Sequence, residues 1–173
     1  MSLKLLKTVS GKNLKKNQYT LFLDLDGVLV DFEKGVESLF GKSIGAIAPK
    51  QMWPRLARTA DFYNTLDWMP DGRELWEYCR PFHPIILTGL PMGRWAEPQK
   101  REWCKRELGE DIEVITGLSR HKPSLAIERS TGQKAVLVDD REKIRLPFEV
   151  AGGIFIHHRN TLSTIRKLRE MGF

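Results

Sequence analysis

The sequence predicts an α/β fold: a doubly wound, five-stranded parallel sheet with a small cap inserted after its first strand–helix unit. Three observations point there. Five short apolar runs are spread along the 173 residues. Amphipathic, helix-like segments separate them. One long stretch, 41–70, breaks the alternation.

The apolar runs are 19–25, 84–88, 112–116, 135–139 and 153–156. Each has the length of a strand buried on both faces and is too short for a helix. The helix-like segments are about 31–40, 71–80, 95–108, 123–130 and 161–171. Strands that alternate with helices form parallel βαβ units, because a parallel neighbour is reached only through a crossover. The corresponding Rossmann-like strand order is 3-2-1-4-5, and such sheets bind ligands beyond the carboxyl ends of their strands.

The stretch 41–70 carries Gly41, Gly45, Pro49, Pro54 and Pro70 among Trp53, Phe62, Tyr63 and Trp68. It is too long for a simple connection. It is read as a cap whose aromatics either fill a small core of their own or face a ligand. The expected organisation is therefore a basic arm over 1–18, a core over 19–40 and 71–173, and a cap over 41–70.

Composition narrows the class. Hydrophobic residues at 41% and charged residues at 29% are those of a water-soluble domain. No apolar run approaches the roughly 20 residues that span a bilayer, and the opening residues lack a secretory apolar stretch. Cys79 and Cys104 lie in separate segments without metal-ligand spacing, as for two free thiols in a reducing compartment. A cytoplasmic protein is expected. The net charge of +6 is concentrated at one end: residues 1–18 hold five lysines and no acid, and the rest carries 23 basic against 22 acidic residues. The arm is a solvated tail or a contact for polyanions such as nucleic acid.

The chemistry is concentrated at strand ends. Asp24-Leu25-Asp26-Gly27-Val28 closes the first strand. In a continuing strand, acids two residues apart point to one face. Paired carboxylates repel unless a cation lies between them, and Mg²⁺ is the natural hard-oxygen partner. Gly27 allows a sharp turn. The second strand ends Leu87-Thr88-Gly89, which offers a hydroxyl and a backbone N–H. Lys122 follows the third strand, and Asp139-Asp140 closes the fourth. Each motif alone is weak. Together, in this order at successive strand ends, they suit phosphoryl transfer, in which catalysis is positioning plus charge neutralisation. A carboxylate can serve as the covalent nucleophile.

In this pattern the sequence resembles the haloacid dehalogenase-like phosphatases, at positions 24, 26, 88, 122, 139 and 140 and over about 19–160. The resemblance implies that Asp24 attacks phosphorus to form an aspartyl-phosphate. Asp26 then protonates the leaving alkoxide and activates water, while Thr88 and Lys122 hold the phosphoryl oxygens. Mg²⁺ is held by Asp24, the backbone carbonyl of Asp26, and Asp139, with Asp140 supporting the metal site. The chain more closely resembles the 5'(3')-deoxyribonucleotidases, through the run from Asp24 to Glu33, through Phe62-Tyr63-Asn64 ahead of Met69-Pro70-Asp71-Gly72, and through Ser119-Arg120-His121-Lys122. That likeness implies a nucleoside pocket at Phe32, with Gly89, Phe62 and Tyr63 also expected against the substrate. Two departures stand out: a short cap, and Gly89 where that family has a serine.

Other patterns fail on inspection. Gly41-Lys42-Ser43 is similar to a phosphate-binding loop, but Val36 stands where its first glycine belongs. Receiver domains are similar in residue types but place their acid pair first. His157-His158 has no third ligand nearby in sequence. The expected activity is Mg²⁺-dependent hydrolysis of a small phosphomonoester, a nucleoside monophosphate before others. The alternative is an end-processing phosphatase on RNA or DNA, favoured by the arm and by Arg94, Lys100, Arg101, Lys105 and Arg106. A binding module that has kept a phosphatase fold is the reading from a different class, and the intact acid set argues against it.

Overall fold

The computed structural model of the chain describes residues 18–173, so the basic arm, apart from Gln18, lies outside the described residues. Five strands form one all-parallel sheet: β1 (Tyr19–Leu23), β2 (Ile85–Gly89), β3 (Val114–Gly117), β4 (Lys134–Asp139) and β5 (Ile154–His157). Their order is β3-β2-β1-β4-β5, as the alternation of strands and helices predicts. The central pairing is in register from Tyr19↔Lys134 to Leu23↔Val138, which brings the end of β1 beside the end of β4.

Strand alternation divides the core in two. Leu21, Leu23, Ile86, Val136, Val138 and Ile156 enter one cluster. Phe22, Ile85, Leu87, Ala135, Leu137 and Phe155 enter the other. Successive residues point to opposite faces, so a strand covered on both sides must be apolar throughout. The first face is covered by α1 (Phe32–Phe40), α3 (Gly72–Cys79), α4 (Ala96–Leu108) and α7 (Thr161–Glu170). The second is covered by α5 (Lys122–Ser130) and the short α6 (Arg145–Val150). Cys79 and Cys104 are free and buried, and burial pushes both thiols up to about 12. No helix among the described residues is long and apolar enough to cross a membrane.

The stretch 41–70 contains a real helix, α2 (Pro49–Arg58). Pro49 takes the first helical position, where its missing N–H is no loss, and Pro54 lies inside the helix. The segment builds no separate core. Ile47, Met52, Leu56, Phe62, Tyr63 and Leu66 join the same cluster as Leu21 and Leu23.

Candidate active site

The strand ends meet as the sequence pattern requires, but β1 stops earlier than expected. After Leu23 the chain turns tightly, and the N–H groups of Val28, Leu29 and Val30 all donate to the carbonyl of Leu25. Asp24 and Asp26 are therefore not two same-face positions of one strand. Asp24 donates its N–H to the Val138 carbonyl at 2.9 Å, which fixes it beside β4. Asp26 directs its carboxylate toward α4 instead. Gly27 is needed twice in this turn. Its φ is +75°, and a β-carbon there would lie 2.4 Å from Asp140 Oδ2.

Asp24, Asp139 and Asp140 each offer a carboxylate oxygen within 4.8 Å of the others. Lys122, at the first position of α5, places Nζ 2.8 Å from Asp24 Oδ1 and 2.6 Å from Asp139 Oδ2. Burial would lower the pKa of that ammonium, but the two carboxylates outweigh it and hold the value above the ordinary one. One lysine cannot neutralise three acids. Burial, then the charges of Asp24 and Asp139, raise the Asp140 carboxyl to about 7. Burial and Asp24 likewise raise Asp139 against the pull of Lys122.

The donor set fits a hard divalent cation. Asp140 Oδ1 is buried without a hydrogen-bond partner among the described residues, amid converging carboxylates that repel one another. An oxygen-only set of this kind suits Mg²⁺. Asp140 stands in the cluster itself, whereas the Asp26 side chain lies outside it. The acids are held from behind. Asp139 Oδ1 accepts from the Arg141 N–H at 2.8 Å, and His157 Nε2 lies 2.9 Å from the Asp140 carbonyl oxygen.

Beside the cluster is a cavity of about 120 Å³, bordered by Asp24, Asp26, Tyr63, Gly89, Ser119 and Arg141. A second cavity, of about 530 Å³, is bordered by Asp26, Phe32, Trp53, Asp140, Arg141 and Arg159. Asp26, Trp53 and Arg141 border both. A cavity of about 590 Å³ opens at the other end of the strands, near Tyr19, His83 and Asp111, far from this group of acids.

The other expected site residues are distributed unevenly. Gly89 and Tyr63 border the small cavity. Phe32 borders the larger one and stacks on Trp53 at 6.0 Å and on Tyr63 at 5.9 Å between ring centroids. Phe62 is not brought to the acids. It is buried in the main core and borders a groove with Lys34 and Asp67 instead. Thr88 has no exposed surface, and its hydroxyl accepts from Lys100 at 3.0 Å.

Lys100, Ser119 and Arg141 were not among the expected site residues. The sequence groups Lys100 with Arg94, Arg101, Lys105 and Arg106 as cations that favour a nucleic-acid substrate, yet it is fully buried and donates to Asp26 Oδ2 at 2.6 Å. The signal lay in its spacing: Ala96, Lys100, Trp103 and Cys104 form one buried helical stripe, so Lys100 occupies a core position of α4. Three neighbouring cations are also engaged. Arg101 binds Glu97 and Thr116, Lys105 pairs with Glu110, and Arg106 holds Glu107 and Asn64. Ser119 accepts from Arg141 Nη1 at 3.0 Å, and its Oγ is 2.4 Å from where a β-carbon on Gly89 would stand. Ser119 Oγ thus occupies the space that a side chain at position 89 would enter.

No family model and no curated protein match this chain. Among solved structures it is similar to a hydrolase from Streptococcus pneumoniae TIGR4, with a TM-score of 0.55 at 12% identity over 90% of this chain and 99% of that one. A hydrolase from Pseudomonas syringae aligns over 90% of this chain and 100% of its own, with a TM-score of 0.41 at 13% identity. The first likeness shows that the two chains share an overall fold.

Proposed function

We propose that this protein is a Mg²⁺-dependent phosphomonoesterase acting through an aspartyl-phosphate, as the resemblance to haloacid dehalogenase-like phosphatases implies. The observation that carries the reading is the joining of Asp24 to Asp139 through buried Lys122, within reach of Asp140 and beside a small cavity that Asp26 also borders. In this reading a carboxylate oxygen of Asp24 bonds to phosphorus as the bond to the leaving oxygen breaks. Asp26 gives its proton to that oxygen. Asp26 then takes a proton from water, whose oxygen attacks phosphorus, and the Asp24–phosphorus bond breaks to release phosphate. Burial raises the Asp26 carboxyl above the usual range even against Lys100, the direction that a proton donor needs. Asp24, Asp139 and Asp140 would hold Mg²⁺, which supplies charge neutralisation for the phosphoryl oxygens. The hydrolase of shared fold accords with this without identifying a substrate.

For the alcohol we propose a nucleoside. Phe32 and Trp53 border the larger cavity next to Asp26, and aromatic faces take bases by stacking. The paired state of Arg101, Lys105 and Arg106 leaves a polynucleotide end with less support. The test is a hydrolysis screen with Mg²⁺ over nucleoside monophosphates, sugar phosphates and 3'- or 5'-phosphorylated oligonucleotides. Turnover of mononucleotides that EDTA abolishes is expected. Preference for an oligonucleotide end would replace the nucleoside assignment, and no phosphate release from any member would overturn the function.

A further inference from the structure

Two buried lysines divide the acids of this site into two sets. Lys122 faces Asp24 and Asp139. Lys100 approaches Asp26 from α4 and touches none of the three clustered acids. Its Nζ has three acceptors: Asp26 Oδ2 at 2.6 Å, Gly89 O at 2.9 Å and Thr88 Oγ1 at 3.0 Å. An ammonium has three N–H donors, so the number of acceptors matches the number of donors. The Tyr63 ring lies 4.4 Å from the same nitrogen and shields it with an aromatic face.

Exposure separates the roles. The Asp26 side chain is 28% exposed and borders both cavities, whereas Lys100 has no exposed surface. A substrate in either cavity can touch Asp26 but not Lys100. Any effect of Lys100 on the reaction must therefore pass through the groups it holds. Placing a charge here is costly, since a buried ammonium is tolerated only when fully paired. Asp26 in turn has a reason to need restraint. Unheld, its carboxylate is free to rotate toward a cation held by Asp24, Asp139 and Asp140, and a carboxylate on the metal cannot also serve the leaving oxygen.

We propose that Lys100 is a positioning residue for proton transfer: it holds the Asp26 carboxylate out of the acidic cluster and facing the leaving group. This rests on the phosphatase reading above. Thr88 and the Gly89 carbonyl fix the lysine, so the end of β2 sets the direction in which Asp26 points.

The test is a double-mutant cycle read with two esters in Mg²⁺, phenyl phosphate with a poor leaving group and p-nitrophenyl phosphate with a good one. Lys100→Met should slow phenyl phosphate by about 10- to 100-fold in kcat, less than the roughly 10²–10⁴-fold that full general acid–base catalysis supplies, and p-nitrophenyl phosphate by less than about 3-fold. KM should hold for both, and Lys100→Arg should recover part of the loss. Asp26→Asn/Lys100→Met should be no slower than Asp26→Asn alone within about 2-fold, because both changes remove one function. Thermal melting of every variant accompanies the kinetics, and Lys100→Gln replaces the methionine variant if that one does not fold. Equal losses on both esters, or losses that multiply in the double variant, would overturn the positioning role. A wild-type chain that hydrolyses neither ester would instead overturn the phosphatase reading, and the positioning role with it.

Discussion

Lys122 Nζ donates to Asp139 Oδ2 at 2.6 Å, with both side chains closed off from solvent and Asp24 sharing the same ammonium. Removing this lysine leaves buried carboxylates with no cation between them. Lys122→Met should cost about 3–5 kcal/mol of stability in metal-free protein, as measured by urea denaturation. Saturating Mg²⁺ should restore part of that stability. Turnover should still fall by about 10²-fold or more, since a charge facing the phosphoryl group is gone. A variant as stable as wild type in EDTA would contradict the pairing.

Asp140 makes stability depend on pH in a definite direction. Its carboxyl is raised from 3.8 to about 7 in the folded chain without metal. The folded state therefore binds this proton more tightly than the unfolded state, and its contribution to stability declines as pH rises across that interval. In EDTA, the part of the melting temperature that depends on Asp140 should fall between about pH 4 and 7, where Asp140→Asn should flatten the profile. A divalent cation favours the ionised acid, so the melting increment from Mg²⁺ should grow over the same range. Identical pH profiles for wild type and Asp140→Asn in EDTA would count against the cluster.

Gly89 and Ser119 should behave as a complementary pair. A β-carbon at 89 would lie 2.4 Å from Ser119 Oγ, which itself accepts from Arg141. Gly89→Ser should displace that hydroxyl, slow turnover by about 10-fold and cost about 1 kcal/mol by overpacking. Adding Ser119→Ala should recover most of both losses, because one hydroxyl then fills the space. A double variant worse than either single change would show that the two positions do not share a role.

The sheet was legible because strands buried on both faces must be apolar along their length: three of the five run from Leu21, Val136 and Phe155 with no polar residue before their last, and β2 is apolar from Ile85 to Leu87. The clustering of Asp24, Asp139, Asp140 and Lys122 followed from their positions at strand ends. What was hidden depends on where side chains turn after the strand is over. The tight loop closed on the Leu25 carbonyl separates Asp26 from Asp24, and no two-residue periodicity describes it. Pro54 disguised α2, although its solvent-facing position tolerates the lost N–H. Lys100 was obscured by its chemical type, since lysine is the residue least expected inside. Only its place on the stripe with Ala96, Trp103 and Cys104 marked it as internal.

The most direct test of the proposed chemistry is mass spectrometry after acid quench of turnover in Mg²⁺, with Asp26→Asn used to slow release of the intermediate. One added phosphoryl group is expected on the peptide containing Asp24, absent in EDTA and absent from Asp24→Asn. Mg²⁺-supported hydrolysis with no phosphoryl group on that peptide, or with Asp24→Asn as active as wild type, would contradict Asp24 as the nucleophile.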